Sequence, residues 1–492
     1  MKSFFTTKIN LTTNNNQNYY FGIFASAIIA FGLFLNAIQP GLILTDGGIF
    51  SSIAFKIQNH GTLYIDAWEN KPPGIFYLIA IFYFIIPSKV YALFIMSSIV
   101  FVLTSLLVYD IYFRVLQSLF KSILFTAISL MFIIYPNNIG DGLYTEIYGT
   151  FFILLSIFFW DLYQSNESNK NGFLSMFTLG LSFWFKEPFI FVCIPLGIYY
   201  LWNLKHKKHM KIFIVSFIAP SLFFIIILLV TGSLKGFIDM IIYNFTYLNS
   251  DVGVPIKEKL SDLYDNFIDK LLVLVIVYTL LLISKSDTQI IRRNKIFWLT
   301  ILMSSSLFFL LTPYNFGHYY YVFFTLFFVV FIKTYHASIH NLPIVKLLFI
   351  PILLWSIFQL NKTNALNLTF KLKPYQADAI SSRLMRDKGK SLFVDCVEEG
   401  GYYVKGNVMF NTFLPVALPV HFSDERSGIE NRKKLWNELS SNPPEYIIRY
   451  QYTSYYYWNL PHNGFYDNEY SVIDSTLNFN QQKIFLLQYL KK

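Results

Sequence analysis

The sequence predicts a polytopic α-helical membrane protein that carries a small extramembrane α/β domain at its C-terminal end. The composition, a series of long apolar runs and a change to polar sequence after residue 360 all support this fold class. Of the 492 residues, 54% are hydrophobic, 20% are aromatic and only 14% are charged. A soluble domain has roughly 25% charged residues. No soluble fold covers this much apolar surface, so lipid must be part of the solvent.

The net charge of +10 is compatible at first sight with a nucleic-acid partner. Many of the Lys and Arg residues, however, lie in short loops between the apolar runs, where membrane proteins keep them on the cytoplasmic side. We therefore expect a lipid bilayer and no nucleic acid as partner. Cys193 lies in an apolar run and Cys396 in the polar tail, which predicts neither a disulfide framework nor a metal site.

Apolar runs of about 20 residues mark the candidate spans, and we expect about eleven to thirteen of them. The first run is too long, and begins too deep in the chain, for an ordinary cleaved signal peptide, so it is interpreted as a retained span. The candidate spans are 20–44, 90–113, 122–136, 147–163, 173–185, 189–203, 211–230, 270–284, 296–312, 319–332 and 345–360.

Basic residues predict the orientation of these spans, because cytoplasmic loops are enriched in Lys and Arg. The loops near 137–146 and 313–318 contain neither residue and are assigned to the outer face. We expect a multi-pass protein of the cell membrane with a cytoplasmic N-terminus and with residues 361–492 outside. The basic residues of the cytoplasmic loops are Arg114, Lys121, Lys170, Lys205, Lys207, Lys208, Lys211, Lys285, Arg292, Arg293, Lys295 and Lys333.

The first outer loop, 45–89, is predicted to lie against the membrane. Its segment 46–60 places Ile49, Ile53 and Ile57 on one helical face, as in an amphipathic interfacial helix. The apolar segment 74–86 is too short to span comfortably, which indicates a re-entrant or juxtamembrane element.

The tail 361–492 is predicted to be a small α/β domain. A helix at 376–387 precedes a strand at 391–395, and a polar helix at 428–440 precedes a strand at 445–450. About 130 residues suffice for one hydrophobic core.

Candidate functional residues lie in loops that the topology places on the outer face. Asp46 follows the first span and precedes Gly47 and Gly48, so it either caps the next helix or faces a site. Lys71 lies in the segment Glu69-Asn-Lys-Pro-Pro-Gly74, where the prolines hold it near the interface. It is either a snorkelling lysine or a ligand for an anion.

Three further loops contribute polar residues. Asp141 and Glu146 could bind a metal, act as a base or orient a hydroxyl, or simply decorate a helix start. Lys186 forms part of a Lys-Glu-Pro turn that could be a tight hairpin with an internal ion pair. His318 and Tyr319 lie among tyrosines that an aromatic belt at the membrane surface would also explain.

These residues come from separate loops, yet the topology brings all of them to one face. A phosphate leaving group is stabilised by Lys or His, and an acceptor hydroxyl needs a carboxylate base. The convergence predicts an active site for a lipid-linked anionic substrate.

Several segments of the sequence resemble one family of enzymes. They are Asp46 after the first span, HGTLYIDAWENKPPGIFYLIAIFYFI (60–85), TEIYG (145–149), Lys186, and FGHYY (316–320) before a late span. Together they resemble the GT-C superfamily of glycosyltransferases. The nearest branch is that of the dolichyl-phosphate-mannose protein mannosyltransferases and the bacterial lipid A aminoarabinose transferases. The tail with NPPEYIIRY (442–450) resembles the outer α/β domain of that family.

The resemblance implies that 1–360 is a catalytic transmembrane domain that moves a hexosyl or pentosyl group from a polyprenyl-phosphate donor to an acceptor hydroxyl of a cell-envelope glycan, lipid or protein. It implies that Asp46 is the catalytic base of an inverting displacement and that Lys71 binds the donor phosphate. It also implies substrate-binding roles for Asp141, Glu146, Lys186, His318 and Tyr319. No cofactor is expected, although the two outer carboxylates leave a divalent metal open.

One departure from the family concerns the first loop, which has a single Asp46 where the protein mannosyltransferases have an Asp-Glu pair. The departure weakens a protein-acceptor assignment and leaves the acceptor open.

Three other protein classes fit the sequence less well than a GT-C glycosyltransferase. A glycan polymerase or ligase is chemically close but usually has a larger outer loop in mid-chain than 231–269. A secondary transporter should show two related halves with broken helices in matching places, and the sequence has none. A receptor or anchoring protein would not require Lys-Pro-Pro beside Asp46 in the first loop.

Overall fold

The structure is a computed structural model. It describes residues 13–43, 45–134, 139–204, 207–248, 257–258, 289–310, 318–335, 375–387, 389–395, 400–410, 412, 426–450, 470–477 and 483–490. The predicted spans 270–284 and 345–360, and Cys396, lie outside the described residues.

Helices make up the part of the chain before the tail. They are α1 (Thr13–Ala37), α2 (Thr45–Gln58), α3 (Gly74–Ile85), α4 (Lys89–Leu116), α5 (Leu119–Ile133), α6 (Thr145–Asn166), α7 (Asn169–Ser182), α8 (Ile190–Trp202), α9 (Met210–Val230), α10 (Leu234–Leu248), α11 (Gln289–Leu310) and α12 (Tyr319–Tyr335). Short 3₁₀ turns at Glu187–Phe189 and Lys207–His209 precede α8 and α9.

Among the described residues, four helices are long and apolar enough to cross a membrane: Asn16–Ala37, Lys89–Leu116, Thr145–Asn166 and Lys207–Val230. Helices α3, α5, α8, α11 and α12 contain shorter apolar stretches. The prediction of a helical membrane protein is confirmed, whereas the full number of spans and their orientation stay predictions. On helix α9 the apolar side chains of Val215, Phe223 and Leu229 are more than half exposed, as expected of a helix that faces lipid.

The first span ends earlier than predicted. Helix α1 stops at Ala37 rather than near residue 44, because the residue before Pro40 is driven out of the helical region. The chain then turns at Gly41, whose φ is +85°. A Cβ at Gly41 would lie 2.3 Å from the ring of Tyr375, so this turn lies against the tail.

Helix α2 forms as predicted, but its predicted contact with lipid is wrong. Ile49, Phe50 and Ile53 are at most 1% exposed and belong to the protein core. Phe50 packs edge-on against Phe76 of α3, with ring centroids 5.6 Å apart. The amphipathic pattern marked a buried face correctly, and protein rather than lipid covers it.

The tail contains α13 (Ala379–Arg386), β1 (Leu392–Val394), α14 (Tyr402–Lys405), α15 (Arg426–Ser441), β2 (Tyr446–Tyr450), β3 (Tyr470–Leu477) and β4 (Lys483–Tyr489). The sheet order is β1-β2-β4-β3. Strands β1 and β2 are parallel, and β4 is antiparallel to both β2 and β3. The predicted α/β tail is thus present as a small sheet with helices, and β3 and β4 were not predicted.

The tail and the first loop share one hydrophobic core. A Cβ at Gly48 would lie 2.6 Å from the backbone nitrogen of Gly401, so α2 and α14 are in backbone contact. Lys56 donates to the carbonyl oxygen of Phe410 at 3.2 Å and lies 4.2 Å from the centroid of its ring. These contacts hold the tail directly over the start of α2, where Asp46 lies.

Candidate active site

Two of the predicted motifs are joined by the backbone. Pro72 and Pro73 direct the chain into α3, and Gly74 begins that helix. The N–H of Gly74 donates to the carbonyl of Trp184 at 2.9 Å, and a Cβ at Gly74 would lie only 2.4 Å from that oxygen. Glycine is therefore required here, and the contact places the loop of Lys71 beside the turn of Lys186.

Glu146, Lys186 and His318 form a buried cluster, although they come from α6, the turn before α8 and the start of α12. The ammonium group of Lys186 donates to Oε1 of Glu146, and Nε2 of His318 lies 3.5 Å from the same oxygen. Thr145 Oγ1 donates to the other carboxylate oxygen at 3.1 Å. The carboxylate of Glu146 is therefore held in a fixed orientation by three neighbours.

Aromatic rings enclose this cluster. The ring of Tyr144 stacks on His318 at 4.2 Å between centroids, and Lys186 Nζ lies 4.4 Å from the centroid of Tyr319. Burial lowers the pKa of His318 to about 4, an effect that Lys186 reinforces and Glu146 opposes. At pH 7 the neutral imidazole of His318 is therefore favoured, with one ring N–H as a hydrogen-bond donor.

Lys71 occupies a less enclosed position. Its side chain is 18% exposed, donates to Asn70 Oδ1 at 2.5 Å and lies 3.8 Å from Oε1 of the buried Glu69. The hydroxyl of Tyr64 donates to the backbone carbonyl of Lys71 at 2.6 Å and fixes the loop.

Asn244 and Glu187 complete this region and were not predicted as site residues. Asn244 Nδ2 donates to the carbonyl of Asn70 at 3.0 Å and to Oε1 of Glu187 at 2.8 Å. Asn244 thereby bridges α10 to both lysine-bearing loops. The signal that points to Asn244 is the amphipathic pattern of 234–248, which lies inside the predicted outer loop 231–269.

Asp46 lies in the first turn of α2 and is partly buried. Helix α2 begins at Thr45, so Asp46 is inside the helix rather than at its N-cap. Its negative charge interacts favourably with the positive end of the helix dipole. Burial raises the pKa of Asp46, Lys71 and Lys186 lower it, and Glu69 raises it further. The carboxylate therefore lies within electrostatic range of both lysines.

Asp141 lies on the other side of Asp46. Its Oδ1 accepts from the N–H of Leu143 at 3.1 Å, in a turn where Gly140 and Gly142 have φ of +53° and +79°. A Cβ at Gly47 would lie 1.9 Å from Oδ2 of Asp141. Gly47 and Gly48 therefore leave no open space for a substrate, because Asp141 fills the space beside Gly47 and the tail backbone fills the space beside Gly48.

The structure thus brings together all the residues predicted for the site. Tyr319 is in electrostatic contact with Glu146, Lys71 and Asp46, which links the buried cluster to the first loop. Tyr144 connects Asp141, Asp46 and Glu146 in the same way, and burial raises its pKa. Carboxylates outnumber ammonium groups at this site. Within the part of the chain that the structure describes, no group of three or more His, Cys, Asp or Glu residues could hold a metal ion.

This chain is similar to known proteins both in sequence and in fold. Residues 70–231 match a family model described as dolichyl-phosphate-mannose-protein mannosyltransferase. This interval includes Lys71, Asp141, Glu146 and Lys186. No curated protein sequence matches the chain significantly.

Solved structures extend the likeness to almost the whole chain. ArnT from Cupriavidus metallidurans bound to undecaprenyl phosphate superposes with a TM-score of 0.61 at 9% identity, over 94% of this chain and 97% of that one. Its apo form gives a TM-score of 0.60 at 10% identity, over 95% and 98% of the two chains. The Archaeoglobus fulgidus oligosaccharyltransferase gives 0.48 at 12% identity, over 94% of this chain and 72% of that one. The chain has an ArnT-like fold, and the predicted resemblance to GT-C glycosyltransferases is confirmed.

Proposed function

We propose that this protein transfers a sugar from a polyprenyl-phosphate donor to an acceptor hydroxyl at the non-cytoplasmic face of the membrane, with inversion at the anomeric carbon. The observation that carries the proposal is the position of Asp46. It is a carboxylate whose pKa is raised by burial, in electrostatic range of Lys71 and Lys186, within an ArnT-like fold. ArnT has been solved with undecaprenyl phosphate bound, which supports a donor of the same lipid class here.

Lys71 is the residue proposed to bind the donor phosphate. Its ammonium group is partly exposed, and its hydrogen bond goes to the neutral amide of Asn70. A phosphate oxygen can replace that amide and form a stronger, charge-assisted bond. Lys186 is already bound to Glu146. It is proposed to stabilise negative charge in the site through its positive charge and to fix the position of Glu146.

Asp46 is proposed to act as the general base. The acceptor hydroxyl loses its proton to the carboxylate while its oxygen forms a bond to the anomeric carbon. The bond from that carbon to the phosphate oxygen breaks, and the electron pair leaves with polyprenyl phosphate, next to Lys71. A raised pKa makes Asp46 a stronger base than an exposed aspartate, provided that the pH keeps it ionised.

The other predicted residues are given supporting roles. Glu146, Lys186 and His318 are proposed to line the substrate cavity, with the N–H of His318 directed at a carboxylate or a substrate oxygen. Tyr319 is proposed as an apolar wall under the sugar, and Asp141 positions the turn that packs against Gly47. No metal is required by this scheme.

An assay on the purified full chain tests the proposal. A panel of polyprenyl phosphates, each carrying one labelled hexose or pentose, is incubated with membranes that supply acceptor. We expect label to leave one donor and unlabelled polyprenyl phosphate to appear with it in equal amount. Retention of label on every donor would contradict the proposal.

Orientation is tested separately with reporter fusions. The basic loops predict that a reporter after Lys208 is cytoplasmic and that one after Thr369 is outside. If both reporters report the same side, the proposed non-cytoplasmic site is wrong.

A further inference from the structure

A cavity lies between the first outer loop and the tail, away from the cluster around Asp46. Its volume is about 920 Å³, within the range of ligand sites in proteins. One wall is formed by the end of α2 and the connection from α3 to α4, and the other by the rim of the tail sheet. We call it the distal cleft; among its lining residues are Gln58, Asn59, Lys89, Lys390, Asn407 and Asn442.

The distal cleft is rich in uncharged hydrogen-bonding groups. Four amide side chains line it, those of Gln58, Asn59, Asn407 and Asn442. The carboxylate of Glu445, which also lines the cleft, accepts from the N–H and the hydroxyl of Ser391 at 2.6 and 2.7 Å. Amides that can both donate and accept, with ring walls from Phe55, Phe84 and Tyr489, suit a ligand covered with hydroxyl groups.

Gln58 provides an independent sign of a missing partner. Its Nε2 donates to the carbonyl of Tyr83 at 2.9 Å, while its Oε1 is shielded from solvent and has no hydrogen-bond partner among the described residues. A buried oxygen without a partner costs free energy. A small rotation of the Gln58 amide toward the cleft would let a ligand hydroxyl pair with this oxygen and remove that cost.

The tail sheet argues against an extended peptide as the occupant. Peptides commonly add to an exposed sheet edge. The edge of β1 facing the cleft is already closed, because the N–H of Leu392 donates to the carbonyl of Met409 at 3.3 Å and Leu392 bridges to Phe410.

Helix α2 connects the distal cleft to the proposed reaction centre. Asp46 lies in its first turn and Gln58 is its last residue. The twelve-residue separation corresponds to about 18 Å along the helix. A molecule that occupies the cleft and presents a hydroxyl to Asp46 must therefore be a chain of several units.

We propose that the distal cleft binds an oligosaccharide chain of the acceptor, several sugar rings away from the hydroxyl that reacts. The proposal rests on the proposed function, and it assigns the acceptor to the glycans.

Binding to the full-length protein tests the assignment without turnover. Fluorescently labelled oligosaccharides of two and eight residues, prepared from the surface polysaccharide of the source organism, are titrated into the protein in detergent, and Kd is measured by anisotropy. We expect the longer chain to bind at least about 10-fold more tightly, because it makes several more hydrogen bonds. Asn442→Ala and Gln58→Met should each weaken its binding by about 2- to 10-fold.

Asn437→Ala is the matched control, since Asn437 is an exposed residue near the end of α15, five residues before Asn442, and does not line the cleft. Its Kd should equal that of the wild type. Equal binding of the longer chain by wild type and both cleft variants, or no saccharide binding at all, would overturn the proposal. Cleft-dependent binding of a glycerophosphate headgroup or an unstructured peptide instead of the saccharide would overturn it as well. Cleft-dependent saccharide binding by a protein that releases no label from any donor would instead reject the proposed transferase and retain the cleft.

Discussion

Buried charges lie at both ends of the helical bundle, and the two ends are built differently. Glu146 and His318 are at the starts of α6 and α12, and Asp161 and Lys333 are near the ends of the same two helices. Fifteen residues of α6 separate Glu146 from Asp161, or about 22 Å. The same pair of helices therefore carries one charged cluster at each end.

The end with Asp161 is balanced. Lys333 binds Asp161, and Arg114 binds Asp110 through both Nε and Nη2. Tyr19 also donates to Asp110 at 2.7 Å. Each carboxylate thus has its own cation, which is the arrangement that makes charge tolerable at membrane depth.

The end with Asp46 is not balanced. Among the described residues, Asp46, Glu69 and Glu146 lie in the field of two ammonium groups, those of Lys71 and Lys186, and Lys186 is bound to Glu146. From this difference we infer that the balanced end stabilises the bundle, whereas the unbalanced end suits groups that change partner or protonation state in the proposed reaction.

The sharpest test of this comparison pairs Asp46→Asn with Asp161→Asn. Asp46→Asn removes the proposed base but keeps its shape, so kcat should fall at least about 100-fold while thermal stability stays near that of the wild type. Asp161→Asn leaves Lys333 without its counter-ion and should cost about 1–3 kcal/mol of stability, with near-normal turnover by the folded protein. Turnover and melting temperature are measured on both variants; a stability loss without a turnover loss in Asp46→Asn would return that residue to a structural role.

Lys71→Ala is expected to have the next largest effect. Loss of a charge-assisted bond to the donor phosphate costs about 1.5–3 kcal/mol, or roughly 10- to 100-fold in kcat/KM for the donor. The loss should appear in steady-state kinetics on a well-expressed variant, as a raised donor KM and a lowered kcat. Unchanged kinetics would mean that Lys71 merely reaches toward the interface.

The pH profile tests how the unbalanced charges act on Asp46. Because its pKa is raised and the ionised form is the base, activity should fall as the pH drops through that raised pKa. Glu69→Gln removes a carboxylate that raises this pKa, so the acidic limb of kcat should move to lower pH. Lys71→Gln removes a cation that lowers it, so the limb should move to higher pH. Shifts of the same sign in the two variants would contradict the assignment of the limb to Asp46.

The smallest expected effect is that of metal removal. Asp141 is held by the backbone of Leu143, and Glu146 by Lys186 and Thr145, so both are proposed to act without a divalent ion. Turnover in EDTA should equal turnover in Mg²⁺ or Mn²⁺. Loss of activity in EDTA that Mn²⁺ restores would assign these carboxylates to a metal site.

Much of this molecule followed from local sequence. Apolar runs located helices α4 to α9 within a few residues, because lipid requires a continuous apolar stretch whatever the neighbours are. The free-energy cost of placing an ionisable group near a membrane pointed to Asp46, Lys71 and Glu146 as candidate site residues, because such a group is rare there without a partner or a function. The resemblance to GT-C enzymes rested on the short sequence segments that contain these residues.

Tertiary structure decided the rest. It determined that the apolar face of α2 packs against α3 and the tail rather than against lipid. Burial in a protein core and burial in lipid require the same amphipathic pattern, so the sequence does not distinguish them. It determined that Gly47 and Gly48 make room for Asp141 and Gly401. A glycine in a sequence indicates that some group comes close to the backbone, but it does not indicate which group. Asn244 joins the candidate site because α10 folds back across both lysine-bearing loops. Partners so distant in sequence are selected by three-dimensional packing, which no local pattern encodes.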